Sequence, residues 1–167
     1  MKIALAADHR GHLLKDKVAA VLAEHGHQVL DMGTNSSRSC DYPDLAYPAA
    51  KAVADARVDR AILICGNGVG MSICANKVAG VRAALCHDEL TAVMARRHIG
   101  ANVLCLASDV MGEELMRRIV ANWLNTDFEG GGRHERRMRK VLLIEQGRSP
   151  EDYNDNNGLA HDQDAAF

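Results

Sequence analysis

Short, continuous apolar runs alternate along this chain with longer segments in which apolar positions recur at helical spacing. Residues 2–7 (KIALAA) predict a strand. Residues 12–26 predict a helix with Leu13, Leu14, Val18, Val21 and Leu22 on one face and Gly26 as its stop. Further strands are expected at 28–32, 60–65, 81–86 and 102–107, and helices at 44–56, 70–77, 88–98 and 111–124. Pro48 must lie in the first turn of its helix or kink it. Strands that are apolar throughout are buried on both faces. The β-α alternation therefore predicts an α/β fold, with a five-stranded parallel sheet, helices on both sides and right-handed crossovers.

Ligands of such sheets bind beyond the carboxyl ends of the strands. That rule selects Asp8 and His9, Cys65, His87 and Asp88, and Ser108 and Asp109. Beyond the last of these helices, a glycine run leads into a strongly basic helix over 130–146. From Arg148 the chain is acidic and poor in aliphatic residues, so 148–167 is expected to be a disordered tail and 1–147 a single domain.

A chain of 167 residues is long enough for one domain with a substantial core. A formal net charge of −2 and only 4% aromatic residues give no global reason to expect nucleic acid or an anionic membrane as partner. No apolar run approaches the ~18–20 residues needed to span a bilayer. The apolar start is also too short for a signal peptide. Five scattered cysteines without CxxC spacing read as reduced thiols, which points to the cytoplasm.

The strand at 60–65 ends in Cys65, and GNGVG (66–70) follows. Closely spaced glycines let backbone N–H groups converge on one concavity, suited to a phosphate or a developing oxyanion. The loop is not GxGxxG, because Met71 holds the last position, and it lacks the Gly-Lys-Ser/Thr of a Walker loop. A cysteine phosphatase needs arginine six positions after its cysteine, and Met71 stands there too. Cys65 is then either an ordinary buried strand-end thiol or a thiolate that takes a proton from carbon beside a carbonyl, with the loop holding the enediolate. Asp8 serves equally well as a helix cap and His98 as a helix-end histidine, although a shared rim would join both to Cys65. On the basic helix, Arg133, Arg137 and Lys140 lie along one face. That face is either simply solvated or a clamp for a phosphorylated ligand.

Taken together, AADHRG, DMGT…DYPDLA, ILICGNGVGMSICANKVAGVRAA, RRHIGANVL and FEGGGRHERR resemble the ribose-5-phosphate isomerase B group of the ribose/galactose isomerases, in register from Met1 to about Gln146. The resemblance implies a Rossmann-like three-layer sandwich assembled as a homodimer or dimer of dimers, with active sites at the dimer interface. It implies aldose–ketose isomerisation of a sugar phosphate in the pentose phosphate pathway, without metal or other cofactor. Carried over, Cys65 would move the proton between C2 and C1, and His98 would open the furanose ring. Asp8 and His9 would contact the sugar and its phosphate, and Tyr42 would line the pocket. The backbone of Gly66, Asn67, Gly68, Val69 and Gly70 would hold the enediolate, and Arg133 and Arg137 would grip the phosphate.

Three positions depart from the family's pattern. Asn67 replaces a common threonine or serine. Ile99 replaces an asparagine, which removes a polar substrate contact. Asp109 replaces an arginine that usually meets the phosphate, and its carboxylate would repel a dianion. The alternatives are an isomerase of another aldose, phosphorylated or not, and a non-catalytic nucleotide- or sugar-binding module.

Overall fold

The computed structural model describes residues 1–154. Strands β1 (Lys2–Ala7), β2 (Gln28–Asp31), β3 (Arg60–Cys65), β4 (Ala83–Leu85) and β5 (Val103–Ala107) form one sheet in the order β2-β1-β3-β5-β4. Every pairing is parallel. Helices α1 (His12–Glu24), α4 (Glu89–Ile99) and α5 (Glu113–Asn125) supply core residues to one face, and α2 (Pro43–Ala54) and α3 (Val69–Ala75) to the other. The expected three-layer α/β sandwich is thus the fold observed. No helix among the described residues is long and apolar enough to cross a membrane.

The two cores follow from side-chain alternation along the central strands. Ile3, Leu5, Ile62, Ile64, Leu104 and Leu106 belong to the first. Ala4, Ala6, Ala61, Leu63, Cys65, Val103 and Cys105 belong to the second. Cys65 therefore faces the α2–α3 layer, and the small Ala46, Ala49 and Ala50 let α2 lie close to the sheet there.

The expected face of α1 needs correction. Leu13 is not on the buried face of α1, being 67% exposed, whereas Lys15 is 1% exposed. Burial of Lys15 is tolerable because its Nζ donates to Asp31 Oδ2 at 2.6 Å and to Asn35 Oδ1, tying α1 to the end of β2. Helix α2 starts at Pro43, so Pro48 falls inside the helix rather than in its first turn. A final helix, α6 (Gly132–Glu145), follows a glycine turn in which Gly131 and Gly132 both have positive φ. Of the segment expected to form a disordered tail, residues 150–152 make one turn of 3₁₀ helix, and 155–167 lie outside the described residues.

The exposure difference on α1 predicts a large energetic contrast between neighbours. Leu14→Ala should cost about 2–4 kcal/mol, while Leu13→Ala should stay within about 0.5 kcal/mol. Urea denaturation of the two variants measures it, and equal losses would contradict this placement of the helix.

Candidate active site

The carboxyl ends of β1, β3 and β5 enclose a cavity of about 470 Å³. Its wall includes Asp8 after β1, Cys65 at the end of β3, and Asp109 just beyond β5. The loop residues Gly66, Asn67, Val69 and Gly70 form one side, and Tyr42 and Ile73 close another. Parallel pairing sets Cys65 directly beside Ala107, so the loops after β3 and β5 leave the sheet together. Two bonds hold them in step, from Ser108 N–H to the Cys65 carbonyl and from Asp109 N–H to the Gly66 carbonyl, both 2.9 Å.

The glycines of the loop answer to specific neighbours. Gly68 has φ +74°, and a Cβ there would lie 2.4 Å from Leu85 Cδ1. A Cβ on Gly70 would strike the Tyr42 ring at 2.7 Å, and one on Gly66 would meet Asp109 Oδ2 at 2.6 Å. With the backbone folded this way, Gly68 N–H donates to Cys65 Sγ at 3.2 Å. Asn67 Oδ1 accepts from Val69 N–H at 3.1 Å. The first helical bond of α3 runs from Ser72 N–H to the Gly68 carbonyl, so the preceding Gly70 and Met71 N–H groups have no helical acceptor. Burial alone pushes Cys74 up, and it dominates for Cys86, pushed up to about 11, and for Cys105, pushed well up.

Asp8 is 6% exposed, and its Oδ1 accepts from the Arg10 and Gly11 N–H groups at 2.9 and 3.1 Å. It thus stabilises the turn before α1 while lining the cavity, but the helix itself is capped at Gly11 without a side-chain bond, so the helix-cap reading does not hold. His9 Nδ1 receives the Cys40 N–H at 3.4 Å. Asp109 is paired with Arg10, whose Nε and Nη2 lie 2.9 and 2.8 Å from Oδ2. Hydrogen bonding to Asp109, then its charge, raises the Arg10 guanidinium above its usual range. Arg10 and Ile73 also line the cavity, and neither stands out from the sequence alone. The signal for Arg10 was its place two residues after Asp8 in ADHRG, but its charge partner is 99 residues away.

His98 does not share this rim, contrary to expectation. Helix α4 runs from the carboxyl end of β4 back toward the start of β5, and His98 is its penultimate residue. The Asn102 carbonyl just beyond accepts from Ala61, at the opposite end of β3 from Cys65. Cys65 lies four residue steps along the strand from Ala61, about 13 Å of chain. Arg96 fixes this end of α4 by donating to the carbonyls of Ala101 and Thr126. Burial first, then Arg60, depresses Arg96 to about 10. His98 stacks on His134 of α6, with ring centroids 4.1 Å apart and planes 3° from parallel. Ile99 is 42% exposed beside it, and neither it nor Arg133 or Arg137 borders the Cys65 cavity.

His98, Glu129 and His134 each offer a ligand atom within 4.8 Å of the others, a grouping that could hold a metal ion.

The match to known proteins decides the family. Residues 3–141 match the ribose/galactose isomerase family. The chain belongs to that family. Aldose–ketose isomerisation is accordingly its class of chemistry. Ribose-5-phosphate isomerase B of Escherichia coli K12 is 48% identical over 148 residues, covering 89% of this chain and 99% of the relative. A D-erythrulose-4-phosphate isomerase of Pectobacterium atrosepticum is 42% identical, covering 79% and 88%. The crystal structure of ribose-5-phosphate isomerase B from Mycoplasma genitalium, with bound ribulose-5-phosphate, superposes with a TM-score of 0.82 at 43% identity, covering 87% of this chain and 96% of that one.

Two histidines are held below their ordinary range. Burial, then His98 and Arg133, lowers His134, and burial, then the amino terminus, lowers His27. A histidine held below its ordinary 6.5 stabilises the fold above that value. As pH falls through this range, the unfolded chain binds more protons and the stability is lost. The melting temperature should therefore fall between about pH 7.5 and 5.5, and less steeply in His134→Gln. An unchanged slope in that variant would remove His134 from the account.

Proposed function

We propose that this chain interconverts ribose 5-phosphate and ribulose 5-phosphate through a cis-enediolate, with Cys65 as base and His98 as ring-opening acid. The observation that carries this reading is the Cys65 sulfur, set at the end of β3 in a cavity and 3.2 Å from a donating loop amide. The ribulose-5-phosphate bound to the M. genitalium relative supports the substrate class.

In this scheme the ring oxygen takes a proton from His98 as the C1–O bond breaks, and the C1 hydroxyl gives up its own proton to solvent as the aldehyde forms. Cys65 thiolate then removes the C2 proton, and the electron pair moves to the C1 carbonyl oxygen. Donors aimed at that oxygen stabilise charge where it develops, which is worth more in a shielded cavity than in water. The free amides at the start of α3 are the available donors. The C2 hydroxyl then passes its proton to the C1 oxygen, and as the C2 ketone forms Cys65 returns the abstracted proton to C1.

Because Cys65 and His98 stand at opposite edges of the sheet, this reading calls on a second chain. A homodimer in which α4 and α6 of one subunit lie over the cavity of the other would deliver His98, Arg133 and Arg137. The apolar mouth supports this, with Tyr42, Val69 and Ile73 all exposed beside Cys65. The D-erythrulose-4-phosphate isomerase favours a second reading, in which a four-carbon phosphosugar is the better substrate. Comparing kcat/KM for the two sugar phosphates ranks them.

Cys65→Ala should reduce kcat by at least ~10³-fold, the range of a lost general base. Cys74→Ala should retain activity, since its sulfur is outside the cavity. Near-normal turnover in Cys65→Ala would end the proposal of a thiolate base.

His98→Asn should impair cyclic ribose 5-phosphate far more than an open-chain aldose phosphate of similar size. Co-expressed with Cys65→Ala, it should recover about a quarter of wild-type activity, because half the dimers are mixed and each restores one of two shared sites. Absence of recovery in verified mixed dimers would mean that the site is not shared.

A further inference from the structure

We infer that Arg10 is the phosphate-binding cation that each subunit contributes to its own cavity, and that Asp109 is the residue that positions it. The inference builds on the isomerase reading above.

Arg10 is the one cation among the described residues that line the Cys65 cavity, where two carboxylates, Asp8 and Asp109, also stand. Without Arg10 these would present two negative charges to an incoming sugar phosphate. The guanidinium lies across the bare backbone of Gly66, where a Cβ would come within 3.0 Å of Arg10 Nε. Asp109 is itself fixed to that glycine, through its N–H bond to the Gly66 carbonyl. The glycine, the arginine and the carboxylate are thus packed as one unit at the cavity wall.

The pairing uses one edge of the guanidinium. Nε donates to both carboxylate oxygens, at 3.2 and 2.9 Å, and Nη2 lies 2.8 Å from Oδ2. Nη1 makes no hydrogen bond to any of the described residues, and the side chain is 59% exposed. Five N–H donors in a planar fork let arginine hold a carboxylate on one edge and a phosphate on another. An arginine already held in this way has less freedom to lose on binding. Asp109 then acts on the substrate through Arg10, and the charge it brings to the wall is offset by the residue it holds.

The test compares wild type with Arg10→Gln, Arg10→Lys and Asp109→Asn. Steady-state kinetics use ribose 5-phosphate, and calorimetry measures binding of inorganic phosphate. Arg10→Gln should raise KM by about tenfold or more with a much smaller change in kcat, and should weaken phosphate binding in parallel. Arg10→Lys should recover part of the loss, as a point charge without the fork. Asp109→Asn should raise KM by a few-fold, leaving melting temperature close to wild type as befits an exposed pair. Unchanged KM and phosphate affinity in Arg10→Gln would overturn the inference, as would tighter binding there. Wild-type protein that binds phosphate through Arg10 but does not isomerise the sugar would overturn the functional reading alone.

Discussion

In a parallel sheet every crossover helix starts where strands finish and finishes where strands start. That directional constraint governs the chemistry of this chain. Cys65, at the end of a strand, and His98, at the end of a helix, are sent to opposite edges of one sheet. No side-chain rearrangement within a subunit bridges that distance, because both residues are anchored in hydrogen-bonded elements. Arg96 reinforces the separation by binding the end of α4 to the carbonyls of Ala101 and Thr126. In the proposed mechanism the two residues meet across subunits, and oligomerisation is part of that proposal.

The Cys65 side depends on backbone rather than side chains. Gly66, Gly68 and Gly70 each lie against a group that occupies the space a Cβ would need: the Arg10–Asp109 pair, Leu85 and Tyr42. Left-handed geometry at Gly68 turns its N–H toward the Cys65 sulfur. A loop built in this way lets backbone dipoles approach a small oxyanion, which bulkier residues would keep at a distance. Packing and chemistry thus impose the same demand on the same three positions.

Charge at the cavity wall follows a similar logic. A carboxylate at position 109 is unfavourable for an anionic sugar when considered alone. Beside Arg10 it becomes one half of an ion pair whose other half faces the cavity. Positive charge at this wall thus comes from Arg10, held by Asp109. Buried Lys15 shows the same principle in the core, where Asp31 and Asn35 compensate a cation that helical spacing alone would have placed in water.

The strands, the helices and the thiol at the end of β3 were legible in the chain itself, because burial on both faces demands unbroken apolar runs and loops demand glycine. The motifs around Cys65 and His98 also carried the family, whose match spans residues 3–141. Exposure of Leu13 and burial of Lys15 were not legible, since helical spacing defines a face but not which polar group finds a buried partner. The Arg10–Asp109 pair was equally hidden, joining residues 99 positions apart through the adjacency of β1, β3 and β5. Only the three-dimensional fold could assign His98 to the far edge of the sheet, because direction along a helix is a property of the crossover and not of the residue. Local pattern determined what each segment is, and tertiary packing decided which charges and catalytic groups meet.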